Sequence, residues 1–229
     1  REIAALFDVR LKDLKIERID RRAKLLIIKL SSGENLLIHL KLTGQLIYQK
    51  IKKTNKFTHA IFNFTDGSRL LFNDMRKFGW VKINPDFVDK LGPEPFSLTV
   101  EQFVSLVKKV KRPIKIAIMD QTLIAGVGNI YANDALWESR INPRTPVNQL
   151  SVEQLSLLLK KVKLVLREGI KYGGASVSDY VNAHGVGGTY QDHMRVYHRE
   201  NLPCLRCKTK IEKFVLGARG TYWCPKCQE

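Results

Sequence analysis

The sequence predicts an α+β multidomain chain, with a partial antiparallel β-sandwich or barrel first, a helical part second and a metal-pinned β-hairpin last. Three observations carry the prediction. Up to about residue 83, short strand-like runs are joined by turn signals, and beyond about residue 99 apolar residues recur at helical spacing. The four cysteines, the whole complement of the chain, form two Cys-x-x-Cys pairs close to its last residue.

Taken in order, Arg1-Glu2-Ile3-Ala4-Ala5-Leu6-Phe7 reads as the tail of a helix already under way. Strand patterns follow at 25–30, 36–40, 45–48, 60–64, 69–72 and 80–83, joined by turn signals such as Ser31-Ser32-Gly33 and Asp66-Gly67. The stiff linker Leu91-Gly92-Pro93-Glu94-Pro95 closes this half. Helices are expected over 99–110, from 114, over 127–139, and from a capping box at Ser151-x-x-Gln154 to about residue 171. Gly173-Gly174 ends the last of them, and the glycine-rich run 183–188 reads as a mobile loop. The expected domains are therefore 1–90, 91–195 including that loop, and 196–229.

Cys204-Leu-Arg-Cys207 and Cys224-Pro-Lys-Cys227 stand sixteen residues apart, a spacing suited to one tetrahedral zinc ion held by four thiolates. The alternating runs between them predict a hairpin with Gly217-Ala218-Arg219-Gly220 at its tip, presenting Arg219 outward. Two disulfides are the alternative. The absence of a signal peptide and of any long apolar run favours a reducing, cytoplasmic interior and thus the metal. With four protein ligands the ion folds the module and leaves no position to activate water.

Thirty-nine basic against twenty-two acidic residues leave a net charge of +17. A surplus of that size attracts polyanions far more than it stabilises a fold. Nucleic acid is the expected partner; a ribosome or an anionic membrane surface would satisfy charge alone, but no amphipathic membrane helix stands out. Nothing suggests the symmetric interface of a dimeric DNA reader, so a monomer is expected.

Gln121 to Trp137, with Lys111-Arg112-Pro113-Ile114-Lys115 upstream, resembles the helix-two-turn-helix of the formamidopyrimidine-DNA glycosylase and endonuclease VIII family. Arg21-Arg22-Ala23-Lys24, His39-Leu40-Lys41-Leu42-Thr43-Gly44, Asp74-Met75-Arg76-Lys77-Phe78-Gly79, Gly173-Gly174-Ala175-Ser176 and the cysteine hairpin fall in that family's order. The best match is the bacterial formamidopyrimidine-DNA glycosylase branch. The resemblance implies a nucleoid-associated base-excision repair protein acting on duplex DNA with oxidised purines or abasic sites, by base removal and β,δ-elimination. It implies catalytic roles for Lys24 and Arg219, and DNA contacts from His39, Leu42, Arg76, Phe78, Lys111, Lys115, Asn129, Tyr131 and Arg219. Leu42, Arg76 and Phe78 would fill the stack vacated by a flipped nucleotide, because that hole needs an apolar wedge and a hydrogen-bonding cation. Lys111, Lys115, Asn129 and Arg219 would clamp phosphates, which fixes register without reading bases. The loop 178–190 would cover the everted base. Taken singly, Phe78 also reads as core, His39 as a satisfied strand histidine and Lys24 as a solvated charge.

The front of the chain departs from the pattern. Members of the family begin with a proline nucleophile and a Pro-Glu segment, whereas Arg1 to Phe7 aligns inside the first domain; either those residues precede Arg1 or the protein does without them. Lys24 is the expected substitute amine, with the α-amine of Arg1 second. Arg22, placed on the same strand face, would favour the neutral form of Lys24. Lys56-Phe57-Thr58-His59 replaces one expected DNA-contacting histidine by Phe57, and Asp134 stands where glutamate is common. The alternative function is a non-catalytic binder of abasic sites, and a third is a generic zinc and basic-patch module.

Overall fold

The computed structural model describes residues 11–84, 88–177 and 179–229, so the helix expected over the first seven residues lies outside the described ones. Two compact units emerge: residues 1–88 with 173–189, and residues 89–172 with 190–229.

In the first unit, every strand pairing is antiparallel. β1 (Ile16–Arg22), β2 (Leu25–Leu30), β3 (Asn35–His39) and β7 (Trp80–Ile83) form one sheet in the order β1-β2-β3-β7. β4 (Gly44–Gln49), β5 (Thr58–Asn63) and β6 (Arg69–Asp74) form a second in the order β4-β6-β5. Ile28, Leu30, Leu36 and Ile38 from one sheet meet Phe72 from the other, with Leu46, Phe62 and Val81 packed alongside. Each such side chain removed from water contributes roughly 1.5–3 kcal/mol, which is what holds two half-apolar sheets face to face. β1 is the strand that alternation does not reveal. Its sequence, IERIDRR, is mostly exposed at the sheet edge, where charge guards against further pairing.

The glycine-rich segment belongs to this unit, whereas the expected division placed it with the helices. The reason is local. β4 is an edge strand whose Tyr48 N–H donates to Ala183 O at 2.8 Å, while the Gln45 amide donates to Asp179 O at 2.5 Å. The Ser176 hydroxyl closes the loop's neck, donating to Tyr180 O at 2.6 Å and accepting from Gly188 N–H at 2.8 Å.

The second unit holds α1 (Val100–Val107), α2 (Ile114–Met119), α3 (Asn129–Glu138) and α4 (Val152–Lys171), together with the hairpin β8 (Glu212–Leu216) and β9 (Arg219–Trp223). Capping boxes start α1 at Thr99 and Gln102, and α4 at Ser151 and Gln154, each satisfying two backbone N–H donors with side-chain oxygens. Phe103, Val107, Ile114, Ile118, Leu136, Leu155 and Leu158 are sealed between the helices. The two turns between α2 and α3 are tied by one side chain: Gln121 donates to Met119 O and Val127 O and accepts from Gly126 N–H. The stiff linker joins them, since Gly92 N–H donates to Gln121 O and Ala125 N–H to Pro93 O.

Candidate nucleic-acid interface

The four cysteine sulfurs lie within 4.8 Å of one another, with Cys204 to Cys227 at 3.9 Å and Cys207 to Cys224 at 3.4 Å. Thiolates about 2.3 Å from a tetrahedral zinc ion stand about 3.8 Å apart, so the set fits that ion. Backbone amides of Arg206 and Cys207 donate to Cys204, and those of Lys226 and Cys227 to Cys224. The Trp137 indole N–H adds a bond to Cys204 Sγ at 3.4 Å. Donors of this kind orient thiolates toward a metal. Zinc is thus a structural cofactor of the hairpin, held by Cys204, Cys207, Cys224 and Cys227.

The hairpin is fastened to α3. Arg206 stacks 3.7 Å from the Trp137 ring and donates to the Trp137 and Glu138 carbonyls; Asn133 Oδ1 accepts from Tyr222 N–H at 2.8 Å. Asp134 is wholly buried and accepts from the amides of Arg195 and Val196 and from the Tyr190 hydroxyl. Burial raises its pKa in spite of those donors.

At the tip, Gly217 and Ala218 both have positive φ, +57° and +58°, as a two-residue type I′ turn requires. Arg219 therefore begins β9, opposite Leu216, and its side chain is exposed. Two donors brace the strand beneath it. Asn129 Nδ2 reaches Gly220 O at 3.1 Å, and Lys115 Nζ reaches Gly220 O at 3.0 Å and Thr221 Oγ1 at 2.7 Å.

This placement corrects the expectation for Lys115. Its side chain is fully buried, spent on the hairpin, and offers no ammonium to a phosphate in solution. Burial, and then the charge of Arg219, bring its pKa down to about 7. Lys111 is exposed, four residues upstream, and Tyr131 is half-buried against Gly169 and Tyr190.

In the first unit two loops carry the expected wedges. Leu42 and Phe78 are each 53% exposed, so Phe78 is not core, and the Arg76 guanidinium lies 5.0 Å from the Phe78 ring. Lys41 and Lys77 adopt positive φ, +54° and +58°, a left-handed geometry costing a non-glycine residue about 1 kcal/mol. What offsets that cost lies below. Asp74, 1% exposed, accepts from the Thr43 hydroxyl of one loop and from Arg76 N–H and Gly79 N–H of the other. A Cβ on Gly79 would sit 2.7 Å from the Phe72 ring and 3.1 Å from the Asp74 carboxylate, so only glycine permits this closure.

Lys24 stands in the turn between β1 and β2, where Arg22 pairs with Leu25 and Ala23 has φ +52°. The continuous strand face expected for Arg22 and Lys24 is not formed, because the chain reverses at Ala23. His39 lies close enough to Lys24 and to Lys41 to feel both charges. Burial, then Lys41 and Lys24, push the His39 pKa down to about 4, and Nδ1 accepts from Lys41 N–H at 2.9 Å. The neutral ring thus carries its proton on Nε2. The α-amine of Arg1 lies outside the described residues.

Sequence reasoning missed Asp74, Thr43 and Trp137 as working residues. Asp74 and Thr43 sit inside the quoted motifs, and their signal was a carboxylate and a hydroxyl placed at the roots of two exposed loops. Trp137 offered none, since an indole beside a distant cysteine is a matter of packing.

A helix pair whose two turns hang on one glutamine, locked to a four-thiolate hairpin, defines the class of zinc-bearing helix-two-turn-helix repair proteins. Residues 91–181 match the H2TH domain of formamidopyrimidine-DNA glycosylase, residues 1–81 its N-terminal domain, and residues 201–229 the zinc finger found in FPG and IleRS. The chain belongs to the formamidopyrimidine-DNA glycosylase family. It is 40% identical over 232 residues to the formamidopyrimidine-DNA glycosylase of Ligilactobacillus salivarius, covering 97% of this chain and 84% of that one. It is also similar to the Lactococcus lactis Fpg solved with DNA containing an abasic site, at a TM-score of 0.91 and 31% identity over 98% of this chain and 86% of that one. A variant of that protein solved with Fapy-dG-containing DNA matches equally, with a TM-score of 0.91, 31% identity and the same coverage, 98% and 86%. Among the described residues no helix is long and apolar enough to cross a membrane.

Proposed function

We propose that this chain binds duplex DNA at abasic or oxidised-purine sites in base-excision repair, with glycosylase and abasic-site lyase chemistry. The observation that carries the reading is the pair of loops holding Leu42, Arg76 and Phe78 out in solvent over a shared buried carboxylate. Exposed apolar tips on a buried polar anchor are costly in water and suited to a gap between bases. Membership of the glycosylase family and the DNA complexes of similar proteins support the same reading.

In this reading Leu42 and Phe78 replace the lost stack, Arg76 satisfies the orphaned base, and Arg219 and Asn129 hold a backbone phosphate, with exposed Lys111 adding a further cation. Lys24 acts at the lesion's sugar and phosphate, and His39 donates from Nε2. Lys115 and Tyr131 support the fold beneath those contacts. The domain division proposed is a β-sandwich carrying the wedges and a helical unit carrying the zinc hairpin.

The test is incubation of the protein with abasic and 8-oxoguanine duplexes, followed by a denaturing gel and by binding to a tetrahydrofuran abasic analogue. Strand scission of the abasic duplex, lost in Lys24→Ala while affinity for the analogue stays within about threefold, is the expected result. Tight binding to the analogue with scission of neither duplex identifies a lesion binder without turnover. Equal affinity for intact and abasic duplex sinks both.

A further inference from the structure

The two wedge loops share one anchor, and that anchor is buried. Asp74 ends β6, where its own N–H donates to Phe57 O at 2.9 Å and its carbonyl takes the His59 Nε2 at 2.8 Å. Its backbone is therefore tethered through Phe57 and His59, outside either loop. From this fixed point Oδ1 accepts from the Thr43 hydroxyl and from Arg76 N–H at 3.2 Å, and Oδ2 accepts from Gly79 N–H at 2.6 Å. Arg76 N–H is shared with Thr43 Oγ1 at 3.1 Å, which joins the loops to each other as well as to the carboxylate. Thr43 is 7% exposed, whereas its neighbour Leu42 is 53% exposed.

A carboxylate taken from water is stable only when its oxygens are fully provided with donors. Here burial alone would raise the pKa, and the donors from Thr43, Gly79 and Arg76 outweigh it, so the group stays ionised at neutral pH. Hydrogen bonds to an ionised acceptor are about twice as strong as neutral ones. Tilting either loop strips a donor from a buried charge, so the loops keep one geometry together.

We propose that the Thr43–Asp74 hydrogen bond is a positioning element that makes Leu42 and the Arg76–Phe78 pair enter damaged duplex as one preformed wedge. The proposal rests on the gap-filling reading of those three residues, and its test separates the two. The full chain and its Thr43→Val, Thr43→Ser, Leu42→Ala and Leu42→Ala/Thr43→Val forms are titrated with intact duplex and with tetrahydrofuran duplex carrying 2-aminopurine opposite the gap.

Thr43→Val lowers the abasic-over-intact affinity ratio about tenfold, the loss expected for one hydrogen bond to a charged group, and leaves intact-duplex affinity unchanged. It also changes the 2-aminopurine emission of the complex, and Thr43→Ser restores both. On the Leu42→Ala background Thr43→Val costs less than about twofold more, because coupled residues are not additive. Should Thr43→Val fail to fold, Asp74→Asn, which sets an amide against one loop's donor, must give the same selective loss. An undiminished ratio in Thr43→Val, or equal losses on both duplexes, overturns the positioning role. A harmless Leu42→Ala instead sinks the wedge reading and the proposal with it.

Discussion

Lys115 shows how one buried ammonium changes the meaning of a basic motif. Its position beside exposed Lys111 suggested a second phosphate contact, yet its nitrogen is committed to Gly220 O and Thr221 Oγ1. A strand periodicity or a charge count does not report burial, so this residue was legible as basic and not as internal. Its depressed pKa makes a stability prediction. The folded protein releases the proton near pH 7, while the unfolded chain keeps it to about 10.5, so between those values the unfolded state binds more protons. Stability conferred at this site therefore rises with pH across that window, by at most about 1.4 kcal/mol per unit, and is absent below it. Denaturant unfolding of wild type and Lys115→Met at pH 7 to 9.5 should differ in slope by a positive amount for the wild type; parallel curves would refute the buried titration.

The zinc hairpin is the element in which metal, helix and DNA contact depend on one another. Its strands are short and its turn contains a left-handed alanine, Ala218 at φ +58°, so it does not stand on local propensity. Structural zinc contributes about 10–16 kcal/mol to folding of comparable fingers. Removing the metal with a strong chelator should therefore unseat Arg219 and Gly220 together, and cost at least as much abasic-duplex affinity as Arg219→Ala, with recovery on adding zinc. Wild-type affinity in metal-free protein would separate the hairpin from binding. Two cysteine pairs announced this element in the sequence, and the strands β2 to β7 were legible because each is a short apolar or half-apolar run, most of them set off by turn residues. β1 was not, since Ile-Glu-Arg-Ile-Asp-Arg-Arg buries almost nothing. Nor was the allegiance of the glycine-rich loop, which depends on Tyr48 presenting an unpaired edge amide to Ala183. The bonds that position the site, Thr43 to Asp74 and Gly220 to Lys115 and Asn129, span 31, 105 and 91 residues of chain, distances over which local pattern carries no information.

For the molecule as a whole, the net charge of +17 makes phosphate attraction strong and salt-dependent, whatever lesion is recognised. Each phosphate neutralised releases condensed counterion, so log affinity falls with log salt with a slope of about −0.9 per contact. That relation separates cations that meet phosphate from cations that build the protein. Arg219, exposed at the hairpin tip, should account for about one contact, so Arg219→Ala flattens the slope by about 0.9. Lys115→Met removes a basic side chain from the same unit, but its nitrogen is sealed under Gly220 and Thr221. Its titration should give a parallel line, displaced to weaker binding at every salt concentration because the strand under Arg219 has lost a brace. Measured between about 50 and 200 mM salt on one abasic duplex, unequal slopes for the two variants support this division of labour. Equal flattening would return Lys115 to the phosphate, and no flattening by either would remove Arg219 from it.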